Sequence, residues 1–270
     1  MMADTHSPRP GAIGTAHIRL EVVTDAADGL RAAVMGGADR IELVSALGTG
    51  GVTPSLGLMQ LAASCGVPVR AMIRPRGGDF TCSAADLDLM RRDIDAAHSC
   101  GLAGVVFGAN RPTGELDGTA LICLVEQAHA LGLETAIHRS FDLAPDPLAA
   151  IETCISLGLS TILTSGGPRY ASTGIDGLAR YVAAADGRIE IMAGSGVTAD
   201  NASAIVKGAG IAWVHASCSA TLTAAEQPPV ERVAALGGLT AARNDTDLTA
   251  VQRLRGVLDA LETVPGKEHA

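Results

Sequence analysis

Aromatic residues are scarce in this chain: three Phe, two Tyr and one Trp make up 2% of its 270 residues. The formal net charge is −9, and no run of basic residues occurs. Nucleic-acid binding needs a basic surface, often with aromatic side chains that stack on bases, so nucleic acid is excluded as the expected partner. A core with few aromatics must consist of Ala, Val, Leu, Ile and Gly, which favours helices packed closely on parallel strands.

Lysine and long apolar runs are equally rare. The chain has only Lys207, near the end of a predicted helix, and Lys267, close to the C-terminus. Since a Schiff-base aldolase needs a lysine in its site, that mechanism is excluded. No apolar run approaches the roughly 20 residues that a membrane-spanning helix needs, so no membrane partner is expected.

The two ends of the chain and its cysteines favour an intracellular protein. Residues 1–16 lack the apolar stretch of a signal peptide, which predicts a flexible N-terminal leader, and residues 265–270 are predicted to form a C-terminal tail. The six cysteines are scattered without paired spacing. We therefore expect no disulfide framework and a cytoplasmic location.

A helical pattern that ends in glycine, followed within a few residues by a strand-like run, recurs along the chain. Glycine supplies the left-handed residue beyond a helix end, so each occurrence marks the passage from helix to strand. With an opening strand added, eight strands are predicted: Ile18–Thr24, Arg40–Ser45, Val69–Ile73, Gly104–Phe107, Glu134–His138, Thr161–Thr164, Glu190–Ala193 and Trp213–Ala216.

Eight such units, roughly 25–35 residues apart, predict a single-domain α/β fold, the (β/α)8 TIM barrel, over residues 17–264. A closing helix is predicted near Leu248–Thr263. Ser83 and Asp86 should form a capping box, and Asp200 should cap the helix that follows it. An open doubly wound sheet is the alternative, but the chain lacks its usual dinucleotide fingerprint.

Chemistry in TIM barrels takes place at the C-terminal ends of the strands, and the third strand leads into the most informative segment of the chain. Arg74, Arg76 and Asp79 lie around a Gly-Gly turn directly after an apolar run. A guanidinium at the end of a buried strand needs an anion or several hydrogen-bond acceptors. We therefore predict that these residues bind a small anionic ligand.

Two carboxylates, Glu21 and Glu42, lie inside predicted strands, where an unpaired carboxylate is costly. One interpretation is an internal ion pair with Arg40, Arg70 or Arg74 that fixes the barrel interior. The other is a general base or a ligand for a divalent cation such as Mg²⁺ or Mn²⁺.

One histidine, His138, ends strand five, and another, His215, lies within strand eight. His138 precedes Asp142, and either this carboxylate or a backbone carbonyl could set the tautomer of the imidazole. We predict a catalytic role for His138 and Asp142 and a ligand-binding role for His215, with structural roles as the alternative. Two histidines are too few for a three-histidine zinc site.

The turn after strand seven, Gly194-Ser195-Gly196, resembles the phosphate cradle of many barrels, where backbone N–H groups and a helix N-terminus receive an anion. Ser165, after strand six, adds a hydroxyl on the same face. Since glycine after a barrel strand often only permits a tight turn, a structural role is the alternative.

Copper needs a separate test, because Cu(I) prefers thiolate and thioether ligands. Cys82 and Cys218 are the only cysteines expected on the face with the strand ends, so they are the candidate metal ligands. Met72 and Met192 lie within predicted strands, a placement typical of core residues.

Six phrases of the chain, in order, resemble the CutC family: Ala38–Leu43, Gly50–Ser55, Ile73–Phe80, His138–Asp142, Leu163–Gly166 and Ile191–Val197. The resemblance implies a TIM barrel, a cytoplasmic location, a homodimer or higher homo-oligomer, and a copper homeostasis role with Cu(I) as the metal. It carries over the polar residues Glu21, Glu42, Arg74, Arg76, Asp79, His138 and Asp142. Relatives discussed as copper binders have cysteines where this chain has Val23 and Val44, and this departure argues against direct copper binding.

Two functions are therefore predicted. The resemblance implies a role in copper homeostasis. The residues themselves predict a TIM-barrel enzyme of the isomerase or lyase type, acting on a small phosphorylated or carboxylated sugar-like metabolite. In that enzyme, arginines hold the anion and Glu42 or His138 moves a proton. A barrel that binds such a molecule without turnover is the third alternative.

Overall fold

The computed structural model describes residues 17–221 and 244–262. The predicted leader, residues 1–16, and the predicted tail, residues 265–270, lie outside these segments. So do residues 222–243 and 263–264 of the predicted barrel domain.

Eight parallel strands pair in chain order and close into a barrel through β1 and β8, which confirms the predicted fold. The barrel strands are β1 (Arg19–Thr24), β2 (Arg40–Leu43), β3 (Val69–Met72), β4 (Gly104–Phe107), β5 (Glu134–Ile137), β6 (Thr161–Thr164), β7 (Glu190–Ala193) and β8 (Trp213–Ala216). Beyond the barrel, β9 (Ser219–Thr221) and β10 (Asn244–Thr246) form an antiparallel pair.

The described helices follow the strands around the barrel. They are α1 (Ala27–Met35), α2 (Leu56–Ala62), α3 (Ala84–Ser99), α4 (Gly118–Ala130), α5 (Pro147–Leu157), α6 (Ile175–Ala185), α7 (Ala202–Ala209) and α8 (Leu248–Glu262). The glycine signals have the expected geometry at two helix ends, because Gly158 and Gly210 end α5 and α7 with φ of 81° and 68°. The closing helix is α8, as predicted.

Of the two helix caps expected from the sequence, one is confirmed and one is wrong. Ser83 and Asp86 form a capping box at the start of α3. Asp200 does not cap α7 and instead pairs with Arg253 at 3.2 Å. The side chain of Asn201 accepts from the backbone N–H of Thr198, so this amide closes the loop before α7.

The barrel interior differs from the layer between strands and helices. The outer layer is a continuous apolar core, whereas the interior holds two small apolar clusters, Val23 with Val44 and Met72, and Leu163 with Met192 and Trp213. Charged side chains are also buried there, including Glu21, Glu42, Arg40 and Arg70, each at most 5% exposed. Because alternate strand residues face inward, these charges must find partners across the barrel.

Candidate functional site

A chain of four polar side chains runs across the barrel interior. Strand register places Glu21 beside both Arg40 and His215. Arg40 donates from Nε to Oε2 of Glu21 at 2.5 Å, and His215 Nδ1 lies 2.8 Å from Oε1 of Glu21. On its other side, His215 Nε2 lies 3.6 Å from Oε2 of Glu42. The internal ion pair considered from the sequence is therefore present for Glu21, with Arg40 as its partner.

The two glutamates have opposite electrostatic environments. Burial raises the pKa of a carboxyl, but the charge of Arg40 and the hydrogen bond with His215 outweigh burial at Glu21 and hold its pKa at about 2. At Glu42, burial and the nearby charge of Glu21 outweigh the attraction of His215 and raise its pKa to about 7. Glu21 is thus ionised at neutral pH, whereas Glu42 is present in both forms. Among the described residues, Oε1 of Glu42 has no hydrogen-bond partner.

A cavity of about 290 Å³ opens at the C-terminal ends of the strands; we call it the mouth cavity. Its lining is Val23, Glu42, Val44, Leu47, Thr49, Gly50, Met72, Arg74, Phe80, His138, Arg139, Leu163 and His215. The fold therefore brings four of the predicted site residues to one cavity, namely Glu42, Arg74, His138 and His215. Glu21 lies buried next to it, in contact with His215.

Arg74 is held by backbone acceptors. Its guanidinium donates to the carbonyl oxygens of Gly51 and Gly78, both at 2.9 Å, and lies 4.8 Å from the ring centre of Phe80. A buried guanidinium needs either an anion or several hydrogen-bond acceptors. At Arg74 the protein supplies acceptors, namely backbone carbonyl oxygens. No carboxylate in the described segments forms an ion pair with Arg74, so its charge contributes a positive potential to the mouth cavity.

His138 is buried and uncharged at neutral pH. Its ring lies against Gly108, where an added Cβ would come within 2.4 Å of Cε1, so the glycine makes room for the imidazole. Burial and the charge of Arg74 lower its pKa to about 3. Nδ1 accepts the backbone N–H of Ser140 at 3.2 Å, so the proton of the neutral ring is on Nε2. Asp142 bonds to Arg139, Thr164 and Ser165 and not to this ring, so the expectation that Asp142 sets the tautomer is wrong.

Asp142 and Ser165 do not line the mouth cavity, but both hydrogen-bond to Arg139, which does. Asp142 accepts from Nε of Arg139 at 2.9 Å and from the hydroxyls of Thr164 and Ser165 at 2.5 and 3.0 Å. The hydroxyl of Ser165 also accepts from Nη2 of Arg139 at 3.0 Å. The two residues therefore fix the position of an arginine that borders the mouth cavity.

Arg76 and Asp79 lie outside the mouth cavity. They are exposed on the loop between β3 and α3, where Arg76 pairs with Asp79 at 3.2 Å. Asp79 also accepts from the backbone and hydroxyl of Thr81. If Arg76 and Asp79 hold an anion as predicted, they hold it on this loop and not beside Glu42 and His138 in the mouth cavity.

The predicted phosphate cradle after β7 is partly filled by the protein itself. A Cβ at Gly196 would lie 2.9 Å from the Tyr170 ring, and one at Gly194 would lie 2.5 Å from Leu163. The hydroxyl of Ser195 donates to the carbonyl of Arg169. Because they lack a side chain, Gly194 and Gly196 permit this close packing. They therefore have a structural role, which was the alternative to anion binding.

The candidate metal ligands do not come together. Cys82 borders a shallow depression with Arg76 and Asp79, whereas Cys218 borders a different cavity beside α8. Burial raises the pKa of both thiols, that of Cys218 to about 11, which disfavours the thiolate that binds metal. Within residues 17–221 and 244–262, no group of three or more His, Cys, Asp or Glu side chains could hold a metal ion.

Two residues that line the mouth cavity, Arg139 and Phe80, received no site role from the sequence, although Arg139 was expected among the polar residues at the strand ends. Neighbouring residues of a strand point to opposite sides, so strand periodicity directs only His138 of the pair His138-Arg139 inward. The short 3₁₀ turn Arg139–Leu143 changes the chain direction and lets Arg139 border the cavity as well. Phe80 folds back from the loop after β3 to lie 4.9 Å from the His138 ring centre. The chain has only three phenylalanines, and this rarity was the signal in the sequence that could have drawn attention to Phe80.

Comparisons with known proteins agree on one family. The model of the CutC family matches residues 18–220. A CutC family protein of Sinorhizobium medicae is 50% identical over 244 residues, which cover 90% of this chain and 97% of that protein. A solved CutC structure from Streptococcus agalactiae, whose assignment to copper homeostasis is itself provisional, has a TM-score of 0.71 at 31% identity. That match covers 74% of this chain and 98% of the other.

More distant likeness concerns the fold alone. A thiamine phosphate pyrophosphorylase of Pyrococcus furiosus matches with a TM-score of 0.55 at 15% identity, covering 92% of this chain and 98% of the other. Separately, none of the helices in the described part of the chain is both long and apolar enough to cross a membrane.

Proposed function

The chain belongs to the CutC family, and from this premise we propose that it takes part in copper homeostasis in the cytoplasm. The observation that carries the proposal is the match over almost the whole described barrel. All six cysteines are free, which is typical of a reducing compartment and supports the proposed location. We also propose a homo-oligomer, supported by the exposed apolar side chains of Met35, Leu56 and Leu61 on α1 and α2.

We propose that this role does not depend on Cu(I) held by Cys82 and Cys218. Because the two thiols border separate cavities and have raised pKa values, their replacement should leave the metal affinity unchanged. Cu(I) binding by the wild type and by the Cys82→Ser/Cys218→Ser variant can be compared under anaerobic conditions by competition with bicinchoninate. Stoichiometric binding that disappears in the variant would contradict the prediction.

The family role has its own test in cells. A strain that lacks the protein should tolerate less copper, and the wild type and the Cys82→Ser/Cys218→Ser variant should both restore growth. Unchanged tolerance in the deletion strain would end the proposed role. Restoration by the wild type alone would assign the role to the thiols.

A second function is favoured by two unpaired polar atoms, Oε1 of Glu42 and Nε2 of His138, which are buried in residues that line the same cavity. Buried polar groups in native proteins are hydrogen-bonded, so such atoms indicate a missing partner. We propose that the mouth cavity binds a small carboxylated or phosphorylated metabolite, as an isomerase or lyase would. The charge of Arg74, which no described carboxylate pairs with, attracts the anion, and Arg139, paired with Asp142 through Nε, adds guanidinium N–H groups at the cavity.

Anion binding can be measured by calorimetry with oxalate and inorganic phosphate as probes. We expect at least one of them to bind, and Arg139→Gln to weaken that binding by roughly tenfold or more, since it removes a charge-assisted hydrogen bond. Arg31→Gln is the matched control, because Arg31 lies on α1 with its side chain 74% exposed. Failure of both probes to bind, or equal binding by the Arg139 variant, would contradict the proposal.

A further inference from the structure

Three residues that line the mouth cavity each hold a buried polar atom without a partner among the described residues: Glu42 (Oε1), His138 (Nε2) and Arg74 (Nε). Oε1 of Glu42 and Nε2 of His138 have no partner among the described residues, and both residues are at least 96% buried. Because Nδ1 of His138 accepts from Ser140, its Nε2 carries hydrogen and can only donate. A ligand that satisfies both atoms while Glu42 is ionised must therefore present an acceptor to His138 and a proton to Glu42.

The remaining wall restricts the class of that ligand further. Val23, Val44, Met72 and Leu163 give the cavity apolar sides. In such surroundings the acceptor of a hydrogen bond gains more than it would in water. The guanidinium charges described above add a preference for an anion, and about 290 Å³ suits a molecule of only a few carbon atoms.

We propose that Glu42 and His138 form a proton-transfer pair that enolises a small organic anion bearing a carbonyl group. This inference rests on the proposed binding of a small anion in the mouth cavity. The carboxylate of Glu42 takes a proton from the carbon next to the carbonyl, and the electron pair of that C–H bond moves to the carbonyl oxygen. His138 donates its Nε2–H to this oxygen as negative charge develops. Return of the proton from Glu42 to carbon completes the cycle without oxidation or reduction.

The environment of each residue suits its part. A general base works best with a pKa close to the operating pH, and that of Glu42 is raised to about 7. His138 stays neutral because burial and Arg74 lower its pKa to about 3, so it donates a hydrogen bond without first having to lose charge. His215, close to Glu42 at 3.6 Å, is placed to respond to the charge that the glutamate gains and loses.

The test follows exchange of carbon-bound hydrogen in D₂O by proton NMR, with pyruvate and dihydroxyacetone phosphate as probes. The wild type should accelerate exchange of at least one probe, at a rate that rises with pH through about 7 as Glu42 ionises. Glu42→Gln should lower the rate by about 10²-fold or more, and His138→Gln by a similar factor. Glu126→Gln and His98→Gln, exposed on α4 and α3, are the matched controls and should exchange like the wild type.

Oxalate and phosphate binding, measured on the same samples, separates the two levels of the proposal. Binding without exchange of either probe leaves anion binding intact and overturns enolisation. Loss of both binding and exchange overturns both. Exchange that persists in Glu42→Gln, or that does not follow the ionisation of Glu42 with pH, also rejects the pair, and this pH profile decides the matter even if His138→Gln fails to fold.

Discussion

Replacing Arg40 by leucine is expected to lower the free energy of unfolding by about 3–5 kcal/mol, the loss typical of breaking a buried ion pair from one side. The side chains of Arg40 and Glu21 are 6% and 1% exposed and are joined at 2.5 Å. Without the guanidinium, Glu21 keeps only His215 as a hydrogen-bond partner among the described residues. The variant also loses the contact of the Arg40 guanidinium with the Trp213 ring, 3.8 Å away.

Urea denaturation at pH 7 measures this effect, and a second substitution tests its cause. If the loss arises from an uncompensated carboxylate, Arg40→Leu/Glu21→Gln should be more stable than Arg40→Leu alone. Arg92→Leu is the control, because Arg92 pairs with Asp88 on the exposed face of α3 and such pairs contribute no more than about 0.5 kcal/mol. Equal losses for Arg40→Leu and the double variant would show that the charge of Glu21 is not the cause, and would leave the Glu190 pair and the Trp213 contact of Arg40 to account for the loss.

The strands could be predicted from the sequence because their limits are fixed locally. A glycine past each helix and an apolar run after it define β4, β6, β7 and β8 to the residue. The second strand ends at Leu43, two residues before its predicted end, although the apolar Val44 follows it. Burial on both faces leaves no alternation to mark such an end.

Partners across the barrel could not be predicted in the same way. Glu21 and His215 are 194 residues apart and meet only because β8 closes on β1. Sequence reasoning named three arginines as partners for the glutamates, but only strand register selects Arg40 for Glu21. For Arg74 the acceptors are backbone carbonyls, which carry no sequence signature.

Some candidate residues separated because loop paths are not encoded by strand periodicity. Arg76 and Asp79 follow Arg74 within five residues of the chain, yet the loop directs them outward, where they pair with each other. Tyr170, from the loop after β6, lies over Gly196 and occupies space that the sequence left open for an anion. The residues that did converge, Glu42, Arg74, His138 and His215, all lie in a strand or directly after one, where the barrel itself determines direction.

Two carboxyls on neighbouring strands thus differ in pKa because only one of them has an arginine partner. Glu21 is stabilised as an anion, and its negative charge adds to the cost of ionising Glu42. Separation of this kind is typical of sites where one acid must stay charged while another exchanges a proton. Arg40 therefore supports the proposed chemistry indirectly, by keeping Glu21 ionised beside His215.

Glu42→Gln is expected to stabilise the protein at alkaline pH. Between the ordinary carboxyl pKa of 4.5 and its raised value of about 7, the folded protein binds more protons at Glu42 than the unfolded chain does. Stability therefore falls as pH rises through this window, by at most about 3 kcal/mol. Glutamine keeps the shape without the charge, so the variant should match the wild type near pH 4.5 and exceed it by about 2–3 kcal/mol at pH 8.

Other buried groups also titrate, so the wild type and the variant must be compared at each pH by urea denaturation. His138, with its lowered pKa, adds stability as pH rises from about 3 to 6.5, whereas His215, with its raised pKa, loses stability as pH rises beyond 6.5. The contribution of His138 is common to both proteins and cancels in their difference, while that of His215 changes with the charge of Glu42. Glu126→Gln, exposed on α4, should show no such difference. A Glu42 variant that is less stable than the wild type at pH 8 would mean that the ionised carboxylate is stabilised in the fold, and this residue could not then hold its proton near neutral pH.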